Sequence, residues 1–326
     1  MSIHSIKKMW LLVGSMGLFV FCGACDKKEA AKTPVPKTDK QPAKKPKPAE
    51  QPAAKITAPQ GMLHIPKGEF WMGCKPETDK DCEEPEKPGH NVYLDDYFID
   101  KTEVSVGQFE ACVKAGSCSD KGLAVPSWND KQQPDWAWSC NWGKPDRKNH
   151  PINCLSWEQA DSYCKWASKR LPTEAEWEKA ARGSDGRKYA WGNEEYAELG
   201  KAGKLVANIA DESEKKRDPL WEVATGYDDG HTGTAPVGSF PKGASPHGVL
   251  DMTGNVLEWV ADWYAEDYYK KSPPKNPKGP ATGELRVARG GAWYGEPKYT
   301  RISLRWPNPI RRIVAVGVRC ASSVKE

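Results

Sequence analysis

Eight cysteines, Cys74, Cys82, Cys112, Cys118, Cys140, Cys154, Cys164 and Cys320, limit what this chain can become more than any other feature. They follow an N-terminus that reads as an export signal, and an even number of cysteines in an exported chain implies a disulfide framework. Sequence alone leaves roughly a hundred pairings open. Nearness along the chain suggests Cys74 with Cys82, Cys112 with Cys118 and Cys140 with Cys154, which leaves Cys164 for Cys320. Paired Cys-x-x-Cys steps and neighbouring histidines are missing, so a zinc site is not expected.

The export reading rests on Lys7 and Lys8 followed by the apolar run Met9 to Phe21, which is short for a bilayer span. The run ends in Cys22-Gly23-Ala24-Cys25. Small residues before a cysteine resemble a lipobox, so Cys25 is the expected lipidation site and new N-terminus, although Cys22 stands where leucine is more usual. This predicts a signal peptide over 1–25 and a protein held at the bacterial cell envelope, on the periplasmic or surface side. Residues 26–57 are Lys, Pro, Ala and Glu with almost no large apolar side chain. Such a stretch buries too little to offset its ordering entropy and reads as a disordered, extended tether.

The tether also carries the charge. Up to Ile56 there are eleven lysines against four acids, or +7, while the whole chain is +4. The remainder is therefore about −3, which argues against nucleic acid as a partner. That remainder, 58–326, is long enough for one large domain with a core of its own.

Within the domain, Met62 to Gly73 alternates apolar and polar residues around Pro66-Lys67-Gly68, the chemistry of a hairpin. Val92 to Asp100 reads as a further strand. Three helices are predicted from capping boxes: Ser105 with Gln108, Ser156 with Gln159, and Thr173 with Glu176. Gly116 and Gly183 stop the first and third. Beyond them the chain is rich in Gly, Pro and Trp with little periodicity. Short helices, short strands and much irregular chain make an α+β domain.

Several segments carry a family resemblance. They include Gly68-Glu69-Phe70-Trp71-Met72-Gly73, Lys101-Thr102-Glu103-Val104-Ser105, Arg170-Leu171-Pro172-Thr173-Glu174-Ala175-Glu176-Trp177, Asp251-Met252-Thr253-Gly254-Asn255-Val256-Leu257-Glu258-Trp259, Arg289-Gly290-Gly291-Ala292-Trp293 and Gly317-Val318-Arg319-Cys320. In this order they resemble the formylglycine-generating enzymes, or sulfatase-modifying factors, across nearly all of Gly61 to Ser322. The implied fold is a C-type-lectin-like α+β domain. The resemblance also implies a bridge between Cys164 and Cys320.

It further implies two structural calcium sites. The first would use the side chains of Asn208 and Asp229 with the carbonyls of Ile209 and His231. The second would use Asp251 and Glu258 with the carbonyls of Gly254 and Val256. Calcium takes six to eight oxygen ligands, which suits such groups. The plainer account is that Asp251 and Glu258 cap turns or pair with arginines.

The enzyme's chemistry, as the resemblance implies it, needs two thiols that bind copper(I), a soft ion that thiolates select. Counted from Gly290, their places hold Gly295 and Thr300, and no cysteine lies between Cys164 and Cys320. Copper and formylglycine formation are therefore not expected. The stretch Trp293 to Trp306 falls in the family's active-site groove. Its Trp293, Tyr294, Tyr299, Thr300, Arg301, Arg305 and Trp306 are candidates for a groove binding a peptide, a glycan or an envelope protein, because aromatics and arginine carry binding hot spots. Trp128, Trp136, Trp138 and Trp142 form a second candidate aromatic surface. Together these readings predict a tethered, calcium-stabilised binding or scaffold domain. The rivals are an oxidoreductase of the same superfamily with another metal mechanism, and a structural subunit of an envelope complex.

Overall fold

The computed structural model describes residues 57–128, 131–309 and 314–324. The expectations for the signal peptide, Cys25 and the tether up to residue 56 lie outside them. The chain divides into two units, Met1–Ala53 and Ala54–Glu326, and the described residues belong to the second. Among them, no helix is long and apolar enough to cross a membrane.

The alternating N-terminal segment does not close on itself as a hairpin. β1 (Met62–Ile65) pairs antiparallel with β4 (Tyr97–Asp100), and β2 (Gly68–Met72) pairs with β3 (His90–Leu94). The four strands are one long ribbon broken on both sides at the same level. Pro66 and Lys67 interrupt one side, and Asp95 and Asp96 the other. Asp96 joins the breaks, its Oδ1 accepting from Lys67 N–H (3.1 Å) and meeting His64 Nε2 (2.7 Å). The Pro-Lys-Gly step is therefore a kink, and the single strand expected over 92–100 is two.

All three capping boxes form, and they open α1 (Val106–Lys114), α2 (Trp157–Trp166) and α3 (Glu174–Arg182). Two shorter helices follow, α4 (Tyr196–Lys201) and α5 (Glu212–Arg217). A two-residue pair, β5 (Ser127–Trp128) with β6 (Lys131–Gln132), closes a loop after α1. The remaining strands are β7 (Leu257–Trp263), β8 (Leu285–Arg289), β9 (Trp306–Pro309), β10 (Val316–Gly317) and β11 (Ala321–Ser323). They form a four-stranded sheet in the order β10-β7-β8-β9, while β11 joins β1 and β4 through β4.

Four disulfides staple the loops: Cys74–Cys82, Cys112–Cys118, Cys140–Cys154 and Cys164–Cys320. The last ties the end of α2 to the approach of β11, closing a loop of 156 residues. Apolar packing collects on both sides of the β7 sheet. One cluster centres on Phe109, Trp259 and Trp293, and the other on Trp177, Met252 and Val260. A smaller cluster of Tyr189, Tyr196, Leu199 and Tyr227 sits under the loops that carry the candidate sites.

Candidate functional site

Two acid clusters lie on adjoining loops. The first is built where the chain runs between α4 and α5. Tyr227 fixes it from below, its hydroxyl accepting from Val206 N–H (2.8 Å) and Ala207 N–H (3.0 Å). The next residue, Asn208, points its amide at Asp229: Nδ2 donates to Oδ2 (3.1 Å), Ile209 N–H donates to the same oxygen (3.0 Å), and His231 N–H donates to Oδ1 (2.9 Å). Asp211, the N-cap of α5, accepts the Asp229 N–H. Two buried carboxylates are thus neighbours. Burial, and then the charge of Asp211, pushes Asp229 up to about 8; burial also raises Asp211. Among the described residues no lysine or arginine pairs with either. Asn208 Oδ1 is buried with no partner. Turning the amide over would set that oxygen against a carboxylate, so its orientation is fixed by charge. An orphaned amide oxygen beside two unneutralised carboxylates is a donor set suited to a hard divalent cation.

The second cluster abuts the first. Asn255 N–H donates to the Asn208 carbonyl (2.7 Å), and Gly254 lies so close that a Cβ there would stand 2.2 Å from that oxygen. With φ of +86° as well, the position excludes side chains. Asp251 Oδ2 accepts from Gly238 N–H (2.6 Å). Glu258, expected to face a cation, instead faces an arginine. Its Oε1 accepts from Arg319 Nη2 (2.6 Å), and its Oε2 from Arg319 Nε (2.7 Å) and Trp177 Nε1 (2.7 Å). Glu103, which was not among the expected ligands, completes the cluster; its Oε1 accepts from Asn255 Nδ2 (2.9 Å). Its signal lay in the Lys-Thr-Glu-Val-Ser segment, where nothing local distinguishes a buried acid from a surface one.

The two arginines expected in the groove are interior. Arg301 is buried, with Nη1 on Asp79 (2.8 Å) and Glu86 (2.9 Å) and Nη2 on Glu86 (2.8 Å). Arg305 forks onto Glu174 at 2.8 and 2.9 Å. Thr300 is buried too, donating to the Pro297 carbonyl (2.7 Å) and bonded to the Tyr196 hydroxyl (2.6 Å). These three are structural members and are removed from the groove. Guanidinium groups taken out of water need matched carboxylates, which here come from distant segments.

The open space lies beside them. A groove of about 510 Å³ runs between the segment after α5 and the turn at Pro297, lined by Lys215, Pro219, Trp221, Glu222, Pro297 and Lys298 among others. Behind Trp221 is a stack of rings. Trp221 lies over Trp293 (5.9 Å between centroids) and Trp136 (6.4 Å), and Tyr294 packs on both Trp221 and Trp293. Arg217 contacts the faces of Trp138 (3.9 Å) and Trp221 (4.8 Å) while Glu214 anchors its guanidinium (2.8 Å). Trp293 is fully buried, Tyr294 is half-buried, and Trp138 keeps 38 % of its surface exposed. Tyr299 and Trp306 pack edge-to-face on each other (5.4 Å between centroids). Trp142 packs on Phe109 in the core. Trp128, whose backbone forms β5, has no described side chain.

Residues 46–324 match the family model described as the sulfatase-modifying factor enzyme 1-like domain. The chain belongs to the sulfatase-modifying factor family. Among the relatives of this sulfatase-modifying factor domain, the formylglycine-generating enzyme of Streptomyces coelicolor is 37% identical over 303 residues, covering 83% of this chain and 92% of that one. The formylglycine-generating enzyme of Thermomonospora curvata is 37% identical over 298 residues, with 81% and 93% covered. Among solved structures, PvdO from Pseudomonas aeruginosa superposes with a TM-score of 0.61 at 28% identity, covering 80% of this chain and 94% of that one.

At the two places where the resemblance puts the family's thiols, this sulfatase-modifying factor domain is without sulfur. Gly295, at φ +94°, has open space where a side chain would project. Thr300 is buried in the hydrogen bonds given above. Each of the eight cysteines from Cys74 to Cys320 is spent in a disulfide, so none offers a thiolate. The groove borders this place through Glu296, Pro297 and Lys298.

Proposed function

We propose that this protein is a binding or scaffold domain of the sulfatase-modifying factor family that works without copper-dependent oxidation, tethered to the bacterial cell envelope through a lipid on Cys25. The observation that carries the reading is the exchange at the family's thiol positions. Gly295 and Thr300 cannot hold copper(I), while the adjoining groove presents Trp221 backed by Trp136, Trp138, Trp293 and Arg217. Stacked indoles with a fixed guanidinium provide large, rigid contact area at little entropic cost, the composition that dominates binding hot spots. The ligand class is an extended peptide, a glycan or an envelope protein segment. Calcium held by Asn208 Oδ1, Asp229 and the carbonyls of Ile209 and His231 keeps the loop before α5, and so the groove wall at Lys215 to Trp221, in place.

The test has two arms. Purified protein supplied with copper(I), air and a sulfatase-type cysteine peptide is expected to yield no aldehyde; aldehyde formation overturns the reading. In the second arm, glycan and peptide arrays are probed with wild type and Trp138→Ala. A hit that weakens at least tenfold in the variant supports the groove, and a hit indifferent to Trp138 places binding elsewhere.

A further inference from the structure

We propose that the Cys74–Cys82 disulfide is a redox-sensitive clasp on the groove, opened by a dithiol and closed again by oxidation. Its role as a regulator rests on the groove being the binding face. Of the eight described cysteines, seven are buried and Cys82 alone keeps part of its surface exposed. The other three bridges join residues that are all buried. Thiol–disulfide exchange depends on access to the sulfur, so this bridge is the one a reductant meets first.

One carboxylate links the bridge to the groove wall. Asp79 lies inside the loop that Cys74 and Cys82 close, with a carboxylate oxygen within 4.8 Å of both sulfurs. It is 3 % exposed, and its Oδ2 accepts from Arg301 Nη1 (2.8 Å). Arg301 in turn donates from Nε to the Lys298 carbonyl (2.8 Å). Lys298 lines the groove together with Glu296 and Pro297. The second acid on Arg301 is tied to the same bridge, because Cys74 N–H donates to the Glu86 carbonyl (3.0 Å). Both acids that hold Arg301 are thus placed by chain around one disulfide. Thr300 keeps its own anchor on the Tyr196 hydroxyl (2.6 Å), so opening loosens the turn at 297–300 without unfolding it.

A thiolate of the dithiol attacks Cys82 Sγ, the protein S–S bond breaks, and Cys74 leaves as a thiolate that takes up a proton. The second thiol of the reductant then attacks the reductant's own sulfur in the mixed disulfide and releases Cys82. Two electrons pass from dithiol to protein, and two thiols replace the bridge. The opened loop regains the freedom that closure removed. Arg301 then loses a fixed carboxylate, and its hold on Lys298 weakens.

The native full chain is titrated with dithiothreitol, free thiols are trapped by alkylation and mapped, and backbone hydrogen exchange is followed over 296–304. Cys74 and Cys82 are expected to be alkylated about tenfold faster than the other cysteines of the domain. Exchange over 296–304 is expected to rise about tenfold with them and to recover on reoxidation. Earlier opening of another bridge overturns the proposal, as does unchanged exchange while Cys74 and Cys82 open. Asp79→Asn leaves the bridge intact and is expected to raise the same exchange; no rise overturns the route through Arg301. These readouts need no ligand, so an array hit indifferent to Trp138 removes the groove reading while the exchange still decides the clasp. A Trp138-dependent hit is expected to weaken in dithiothreitol, and one that dithiothreitol leaves unchanged overturns the clasp alone.

Discussion

The interior holds charge in two unlike ways. Around α3 every residue is buried, although the sequence is Glu-Ala-Glu-Trp-Glu-Lys-Ala-Ala-Arg. There Glu174 meets Arg305 and Arg289, and Glu178 meets Arg289 (2.5 Å) and Arg182 (3.2 Å). Asp262 aside, positive and negative groups are matched within the protein, so these pairs need nothing from outside. The loops at 208–229 and 251–258 are the reverse, with acids outnumbering the bases that face them. The contrast separates structure from site: a matched network closes a core, while an unmatched one requires a proton or an ion.

The contrast is tested most severely by unbalancing the matched side. Glu174→Ala removes the carboxylate from Arg305 (2.8 and 2.9 Å) and from Arg289 (3.0 Å), leaving two buried guanidiniums short of a partner. Stability in urea unfolding is expected to fall by about 3–5 kcal/mol, the cost of breaking a buried pair. A loss below about 1 kcal/mol would mean that water reaches these arginines and that the two regions do not differ in kind.

A smaller effect is expected from the unmatched side. If calcium sits at Asn208 and Asp229 as proposed, chelation would remove it and leave Asp229, buried beside Asp211, to be neutralised by a proton. At free calcium a hundredfold above its dissociation constant, such an ion would contribute about 2.7 kcal/mol. Thermal unfolding with and without chelator is expected to show that difference in wild type and to lose it in Asp229→Asn. Chelation should leave the Glu174→Ala penalty unchanged, since each of those arginines has a carboxylate partner within the protein. Non-additivity would join the regions into one.

How much of this was legible in the sequence follows from the range of each interaction. Capping boxes span three residues, and the helix starts at Ser105, Ser156 and Thr173 were readable. So were the disulfide partners six to fourteen residues apart. The kink at Pro66 was not readable as a kink, because a turn and a broken strand share the same Pro-Lys-Gly chemistry and only the partner strand distinguishes them. Arg301 and Arg305 were misplaced for a related reason. Arginines among aromatics look like a binding face until Asp79, 222 residues away, and Glu174, 131 residues away, are seen to claim them. Glu103 was missed likewise, since its neighbours Asp251 and Asn255 are remote in the chain.

One acid inside the matched network has no arginine of its own, and it gives the finest test. Asp262 is buried beside Glu174, and its Oδ2 accepts the Glu174 N–H at the start of α3 (2.8 Å). Burial, and then the charge of Glu174, pushes it up to about 8. The folded value stands above the unfolded one, so the folded state binds the extra proton between them. The stabilisation is complete below the unfolded value and is lost as pH rises through about 8. From about pH 7 to about pH 8 wild type is expected to lose about 1 kcal/mol through this group. Asp262→Asn keeps an oxygen for the Glu174 N–H but carries no titrating proton, so the slope should flatten in that interval. An unchanged slope would mean that Asp262 is already ionised and matched. The proton would then be no substitute for a partner, and the line between matched and unmatched regions would need to be redrawn around Arg305.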